Sequence, residues 1–282
     1  MPELSTVGAI ERQINLRADP ARVWRALTDP EELAAWFGQA ADFRAEAGAT
    51  GWFEWDGYGR FQCVVEAVEP GRYLAWRGAS EPNAPVDRSA STLVEWWVEP
   101  GPNGGTTLRL RESGLSDERS ADENTYGWLE EVSDLQDHLA TEDWQRPLRR
   151  KLELRADLTS VWSALTNPAE YDRWAGARGE VEIRPGAEGW FVTDDYGRRA
   201  VRIVAVEEHR YFAWLWAPAE EGVPLTDARE ILLVEWVLQR RDDGGTDLYL
   251  KESGHIGPDT RTSNETGWDE IGKMFRGHVE AE

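Results

Sequence analysis

The chain has 282 residues, with 53 acidic side chains against 31 basic ones and a formal net charge of −22. That balance excludes a phosphate-backbone partner, whose binding rests on neutralising lysines and arginines, and reads instead as solvated surface. The single cysteine, Cys63, rules out an intramolecular disulfide, and no apolar run approaches the roughly 20 residues of a membrane-spanning helix. The opening MPELSTVGAI lacks a basic segment followed by an apolar one, so no signal peptide is expected and the chain reads as soluble and cytoplasmic.

Ile10 to Leu16 alternate and predict a first strand. Asp19-Pro20 supplies an N-cap with proline at the first helical position, and Val23, Trp24 and Leu27 form the apolar face of a short helix. A second start follows at Asp29-Pro30-Glu31-Glu32, giving another short helix that ends near Trp36. Five short runs rich in aromatic and β-branched residues come next: Trp52–Trp55, Phe61–Val68, Tyr73–Trp76, Leu93–Val98 and Thr107–Arg111. Turns such as Glu69-Pro70-Gly71 and Pro102-Asn103-Gly104-Gly105 separate them, and connections that short imply antiparallel neighbours. Trp128, Val132, Leu135 and Leu139 then recur at helical spacing.

The whole series occurs twice. LRADPARVWRALTDPEELAAW, from Leu16 to Trp36, returns as LRADLTSVWSALTNPAEYDRW from Leu154 to Trp174. Gly51-Trp52-Phe53 is answered by Gly189-Trp190-Phe191, and Tyr58-Gly59-Arg60 by Tyr196-Gly197-Arg198. After a small insertion Gly104-Gly105-Thr106 matches Gly244-Gly245-Thr246, Glu112-Ser113-Gly114 matches Glu252-Ser253-Gly254, and Gly127-Trp128 matches Gly267-Trp268. In the last helix Trp268, Ile271, Phe275 and Val279 repeat the spacing. A period this long is domain-sized, so two domains are expected, residues 1–142 and 143–282, with the boundary between Thr141 and Arg149. The element order gives an α+β fold, a sheet burying one face against one long helix.

These motifs together resemble the SRPBCC superfamily and, within it, the domain of activators of the heat-shock-protein-90 ATPase, which has the START-like helix-grip fold. The resemblance implies two tandem helix-grip domains. Each would be a curved antiparallel sheet wrapped around a long C-terminal helix, with two short helices after the first strand. It also implies a cavity between sheet and helix that often holds an apolar or aromatic ligand. Members include lipid carriers, polyketide cyclases and aromatases, chaperone activators, and relatives that protect producers of enediyne antibiotics. The eukaryotic chaperone activator carries a different domain ahead of its helix-grip domain, whereas both halves here carry the helix-grip pattern.

No catalytic constellation stands out. His138, His209, His255 and His278 lack metal-ligand spacing, and the paired glycines sit in hairpin turns rather than in a phosphate loop, so neither metal nor cofactor is expected. His138 and His278 fall at the ends of the last helices, where water or the helix dipole suits them. Strand parity puts Glu112 and Glu252 on the same face as the preceding leucines, toward the cavity, where burial would raise a carboxyl's pKa. The alternative is that each strand ends there and leaves the acid in water. Glu95 and Glu235 have the opposite parity to Trp96 and Trp236 and are expected in solvent.

Sixteen tryptophans mean a bulky core or aromatic-lined pockets. Trp76, Trp96 and Trp128 have partners in Trp214, Trp236 and Trp268, whereas Trp55 falls opposite Thr193, Trp97 opposite Val237, and Arg77-Gly78 opposite Leu215-Trp216. The two cavities are therefore expected to differ in shape. Gly272 and Gly277, either side of Phe275, remove bulk from the second long helix, which either lets the sheet approach or leaves room opposite Trp216. The candidate ligand-binding set is Trp76, Trp96, Trp128, Trp214, Trp216, Trp236, Trp268, Gly272, Phe275, Glu112 and Glu252. The expected function is non-enzymatic binding of a bulky hydrophobic or aromatic small molecule, of antibiotic or polyketide type. A cyclase-like enzyme using the cavity acids and a chaperone-activating interaction protein are the alternatives.

Overall fold

Alternating burial makes Ile10–Leu16 a strand (β1), with Ile10, Ile14 and Leu16 inward and Glu11, Gln13 and Asn15 outward. Asp19 accepts from the Arg22 backbone N–H at 2.9 Å and starts Pro20–Thr28 (α1); Asp29 accepts from those of Glu31 and Glu32 and starts Pro30–Leu33 (α2). The indole N–H of Trp36 then donates to the Ala26 carbonyl at 2.8 Å. That bond folds the second short helix back on the first, which is why a tryptophan closes the repeated motif. The computed structural model describes residues 8–194, 197–218 and 220–281; Tyr196 of the repeated Tyr-Gly-Arg motif lies outside them.

Six more strands follow, Ala40–Asp42 (β2), Thr50–Trp55 (β3), Gly59–Glu69 (β4), Tyr73–Gly78 (β5), Thr92–Pro100 (β6) and Thr106–Ser113 (β7), and then the helix Glu118–Leu139 (α3). The sheet runs β1-β7-β6-β5-β4-β3-β2, with every pair antiparallel. β2 has no alternation that a sequence pattern could register, yet it accounts for the glycine of the Gly-Trp-Phe motif. A Cβ on Gly51 would sit 2.1 Å from the Asp42 carbonyl oxygen, and one on Gly189 would sit 2.2 Å from that of Glu180. The threonine of the Gly-Gly-Thr turn binds the sheet to the turn that precedes the first helix, the Thr106 hydroxyl donating to the Ala18 carbonyl at 2.7 Å.

The chain divides between Thr141 and Glu142, and the second unit repeats the first element by element. Its elements are Leu148–Leu154 (β8), Leu158–Thr166 (α4), Pro168–Trp174 (α5), Ala177–Glu180 (β9), Glu188–Thr193 (β10), Gly197–Glu207 (β11), Tyr211–Trp216 (β12), Leu232–Arg240 (β13), Thr246–Ser253 (β14) and Pro258–Val279 (α6). The sheet order is β8-β14-β13-β12-β11-β10-β9. Trp174 donates to the Ala164 carbonyl at 3.0 Å and Thr246 to that of Ala156 at 3.0 Å, repeating both ties. This is the tandem helix-grip α+β fold. Among the described residues no helix is long and apolar enough to cross a membrane.

Each core lies between sheet and long helix. Trp128, Val132 and Leu135 of α3 pack with Val94, Trp96, Val98, Leu108 and Leu110; Trp268, Phe275 and Val279 of α6 pack with Val234, Trp236, Leu238, Leu248 and Leu250. Burying side chains of this kind stabilises by about 1.5–3 kcal/mol each.

Two expectations about charged groups are corrected here. Glu95 and Glu235 do point away from the long helix but are not in solvent. Glu95 accepts from the Tyr73 hydroxyl at 2.7 Å and from Arg111 at 3.0 Å, while buried Glu235 accepts from Tyr211 at 2.8 Å and pairs with buried Lys251 at 3.0 Å. The partners are cross-strand neighbours on that face, so antiparallel pairing assembles the network. His138 and His278 do sit in the last turns of their helices, as expected, but are only about one-fifth exposed rather than facing water. Their Nε2 atoms lie 2.9 Å from Glu32 and 3.0 Å from Glu170, because the end of each long helix runs past the second short helix.

Candidate functional site

In the first half Leu108, Leu110 and Glu112 share the inner face of β7, and Glu112 is 3% exposed. The strand does not end there, since Glu112 still pairs with Ile10 on one side and Val94 on the other, so the reading that leaves the acid in water is overturned. Its carboxylate accepts from Asn124 Nδ2 at 3.0 Å and from Trp128 Nε1 at 2.7 Å. Those two donors are four residues apart, on one face of α3. Burial raises the Glu112 carboxyl above the usual range, and the bonds from Trp128, Thr92 and Asn124 only partly offset it. Sequence reasoning passed over Asn124 and Asn264, although each stands four residues before the tryptophan of a Gly-Trp pair.

Indoles and phenyl rings surround this acid. Trp96 and Trp128 meet edge to face at 5.6 Å, and Phe37 touches Phe53, Trp55, Trp76 and Trp128 at 4.9 to 5.8 Å. The indole N–H of Trp55 donates to Glu131 Oε1 at 2.7 Å. Desolvation pushes the Glu131 carboxyl up to about 8, and its buried Oε2 has no hydrogen-bond partner. Neither Phe37 nor Glu131 was expected here; Glu131 follows Trp128 by three residues, which places it on the same side of α3. Trp97 is on the other face of the sheet, 5.3 Å from Tyr73, so its replacement by Val237 does not change the interior.

The second half rebuilds the site with a different donor. Glu252 is fully buried and accepts from Asn264 at 2.9 Å, but its indole bond comes from Trp216 on β12, at 3.2 Å, rather than from Trp268. Gly78 stands where Trp216 does, so the first half has no indole at that position of the strand. The imidazole of buried His255 lies 3.4 Å from Glu252 and 3.9 Å from buried Glu230. Leu115 and Ala90 hold the matching positions in the first half. Trp214, Trp236 and Trp268 form a row at 6.0 and 5.7 Å, with Trp216 6.1 Å from Trp268.

Two of the candidate residues lie elsewhere. A Cβ on Gly272 would meet Leu152 of β8 at 3.3 Å, so that glycine lets the sheet approach. Gly277 is exposed; nine residues beyond Trp268, at about 100° per residue, it lies on the opposite face of α6. Phe275 packs edge to face on Trp174 at 4.9 Å rather than on the tryptophan row. A hollow of about 200 Å³ sits by Trp190, Ala200 and Leu225, against the outer side of the second sheet. Cys63 is buried and its thiol is pushed up to about 12, chiefly by desolvation, which leaves it unreactive. Among the described residues no group of three or more His, Cys, Asp or Glu side chains is placed to hold a metal ion.

The family described as Activator of Hsp90 ATPase homolog 1-like protein matches residues 17–140 and again residues 155–280. The chain belongs to this family. No curated protein matches it. Among solved structures, a protein from Mesorhizobium loti is similar at 26% identity and a TM-score of 0.42, over 47% of this chain and 96% of that one. DynU16, of the dynemicin biosynthetic locus, is similar at 20% identity and 0.41, over 96% and 98%. StfQ, a di-domain ARO/CYC of the steffimycin pathway, is similar at 13% identity and 0.43, over 96% and 97%. In this Hsp90-ATPase-activator-like chain each family match spans one carboxylate and the helix that holds it, Glu112 with α3 and Glu252 with α6.

Proposed function

We propose that the chain binds a bulky, mostly apolar aromatic small molecule between sheet and long helix, and holds it without turning it over. One observation carries the reading: both halves keep a buried carboxylate at the same interior position, set among indoles and held by an asparagine and a tryptophan N–H. A core built for stability alone gains more from an apolar residue there, because burying a charge costs several kcal/mol. An aromatic lining with a few fixed polar groups is what a ligand site requires. The guest replaces ring–ring contacts with ring–guest contacts. A polyketide or antibiotic guest, sequestered for self-resistance, is the specific form that the family resemblance implies.

Titration with polyaromatic compounds, including anthraquinone and enediyne types, is expected to quench tryptophan fluorescence saturably. Linear quenching across the whole panel counts against a pocket. A second reading, proton transfer on a polyketide by a cyclase-like enzyme, is favoured by the raised carboxyl of Glu112. Turnover abolished by Glu112→Gln or Glu252→Gln would select it. A specific complex with a chaperone ATPase, with no small molecule bound, would replace both.

A further inference from the structure

The second half leaves three donors over. The indole N–H groups of Trp214, Trp236 and Trp268 are buried with no acceptor within hydrogen-bond reach, and the residues are only 7%, 2% and 7% exposed. A buried donor without an acceptor is destabilising, and folded interiors hold few of them. Three in one row of touching rings call for an explanation. For Trp268 the origin is local. Trp216 has taken the place at the carboxylate that Trp128 holds in the first half, so Trp268, the counterpart of Trp128, has lost its acceptor. Asn264 and His255 crowd the other carboxylate oxygen, 2.9 and 3.4 Å away. In the first half Trp128, the counterpart of Trp268, gives its N–H to Glu112, and Trp55 gives its own to Glu131.

We propose that these three indole donors select the guest of the second half, which is a planar polycyclic aromatic bearing at least two carbonyl oxygens at its edges, of quinone type. The inference rests on the binding reading above and adds the chemistry of the guest. An unsubstituted hydrocarbon of the same shape fills the same volume but leaves the donors unpaired, so the site discriminates against it. Glu252 does not select, because its oxygens are already taken by protein donors.

Anthraquinone and anthracene test this, since they share a ring frame and differ in the two oxygens. Equilibrium dialysis against the full chain is expected to give anthraquinone the tighter binding by about tenfold or more, the effect of roughly one net hydrogen bond. Trp268→Phe and Trp236→Phe keep an aromatic wall without the N–H and are expected to shrink that preference at least about threefold. Trp97→Phe, on the other face of the sheet, leaves it unchanged. In the wild-type chain with ¹⁵N-labelled tryptophan, anthraquinone and not anthracene is expected to shift the indole resonances of these three residues, a readout that needs no variant to fold. Equal binding of the two compounds overturns the inference while the binding reading stands. Binding of neither overturns both.

Discussion

In the first half Trp128 donates to Glu112; in the second Trp268, at the matching position, does not serve Glu252, and Trp216 does. Around that exchange much of the frame is unchanged, with the caps of the short helices, tryptophan clasps, threonine ties and histidine–glutamate contacts each present twice. The interiors differ, with Gly78, Leu115, Ala90, Trp55 and Glu131 answered by Trp216, His255, Glu230, Thr193 and Ile271. A duplicated frame held by these ties leaves the inside free to change. In one half the long-helix tryptophan gives its N–H to the acid, while the other leaves three buried indole donors without an acceptor.

The outer faces offer the strongest way to break this comparison. Tyr73, Glu95 and Arg111 correspond to Tyr211, Glu235 and Lys251, but the Arg111 side chain is 42% exposed and that of Lys251 only 1%. Lys251→Met leaves Glu235 buried without its cation and is expected to cost about 3–5 kcal/mol. Arg111→Met removes a solvent-screened pair and is expected to cost about 1 kcal/mol or less. Denaturant unfolding of both variants measures the contrast, and equal losses would contradict it.

Glu131 sharpens the comparison because Ile271 gives the second half no counterpart. Its folded pKa of about 8 lies above its ordinary 4.5, so between these values the folded chain keeps a proton that the unfolded chain has released. Raising the pH through that window removes stability at up to about 1.4 kcal/mol per unit, with no further loss above about 8. Glu131→Gln lacks the group, so its stability relative to wild type is expected to climb from pH 5 to pH 8. A difference in unfolding free energy that stays constant with pH would show that Glu131 is not held protonated.

The exchange of donors gives the smallest effect. Trp128→Phe and Trp268→Phe lose the same volume, but only the first removes a bond to a carboxylate. Trp128→Phe is expected to be more destabilising by about 1–2 kcal/mol. The reverse order would mean that the Trp268 N–H has an acceptor of its own.

What the sequence determined by itself was set within a few residues. Asp19-Pro20 and Asp29-Pro30 cap helices by reaching backbone N–H groups two or three residues on, so their pattern located both short helices. Parity placed Leu108, Leu110 and Glu112 on one face, and spacing placed Trp128, Val132 and Leu135 on another. The repeat showed that everything occurs twice. Parity says which way a side chain points, not what covers it. Glu95 and Glu235 faced the predicted side and still found partners on neighbouring strands. The strand that buries Glu112 on either side is supplied by Ile10 and Val94, one of them about 100 residues away in the chain. β2 and β9 exist because a glycine in the next strand allows close approach, and three or four residues carry no period of their own. Which of several tryptophans reaches the acid was decided only by tertiary structure, because a hydrogen bond forms within about 3 Å and sheet register together with helix packing selects the indole that arrives there.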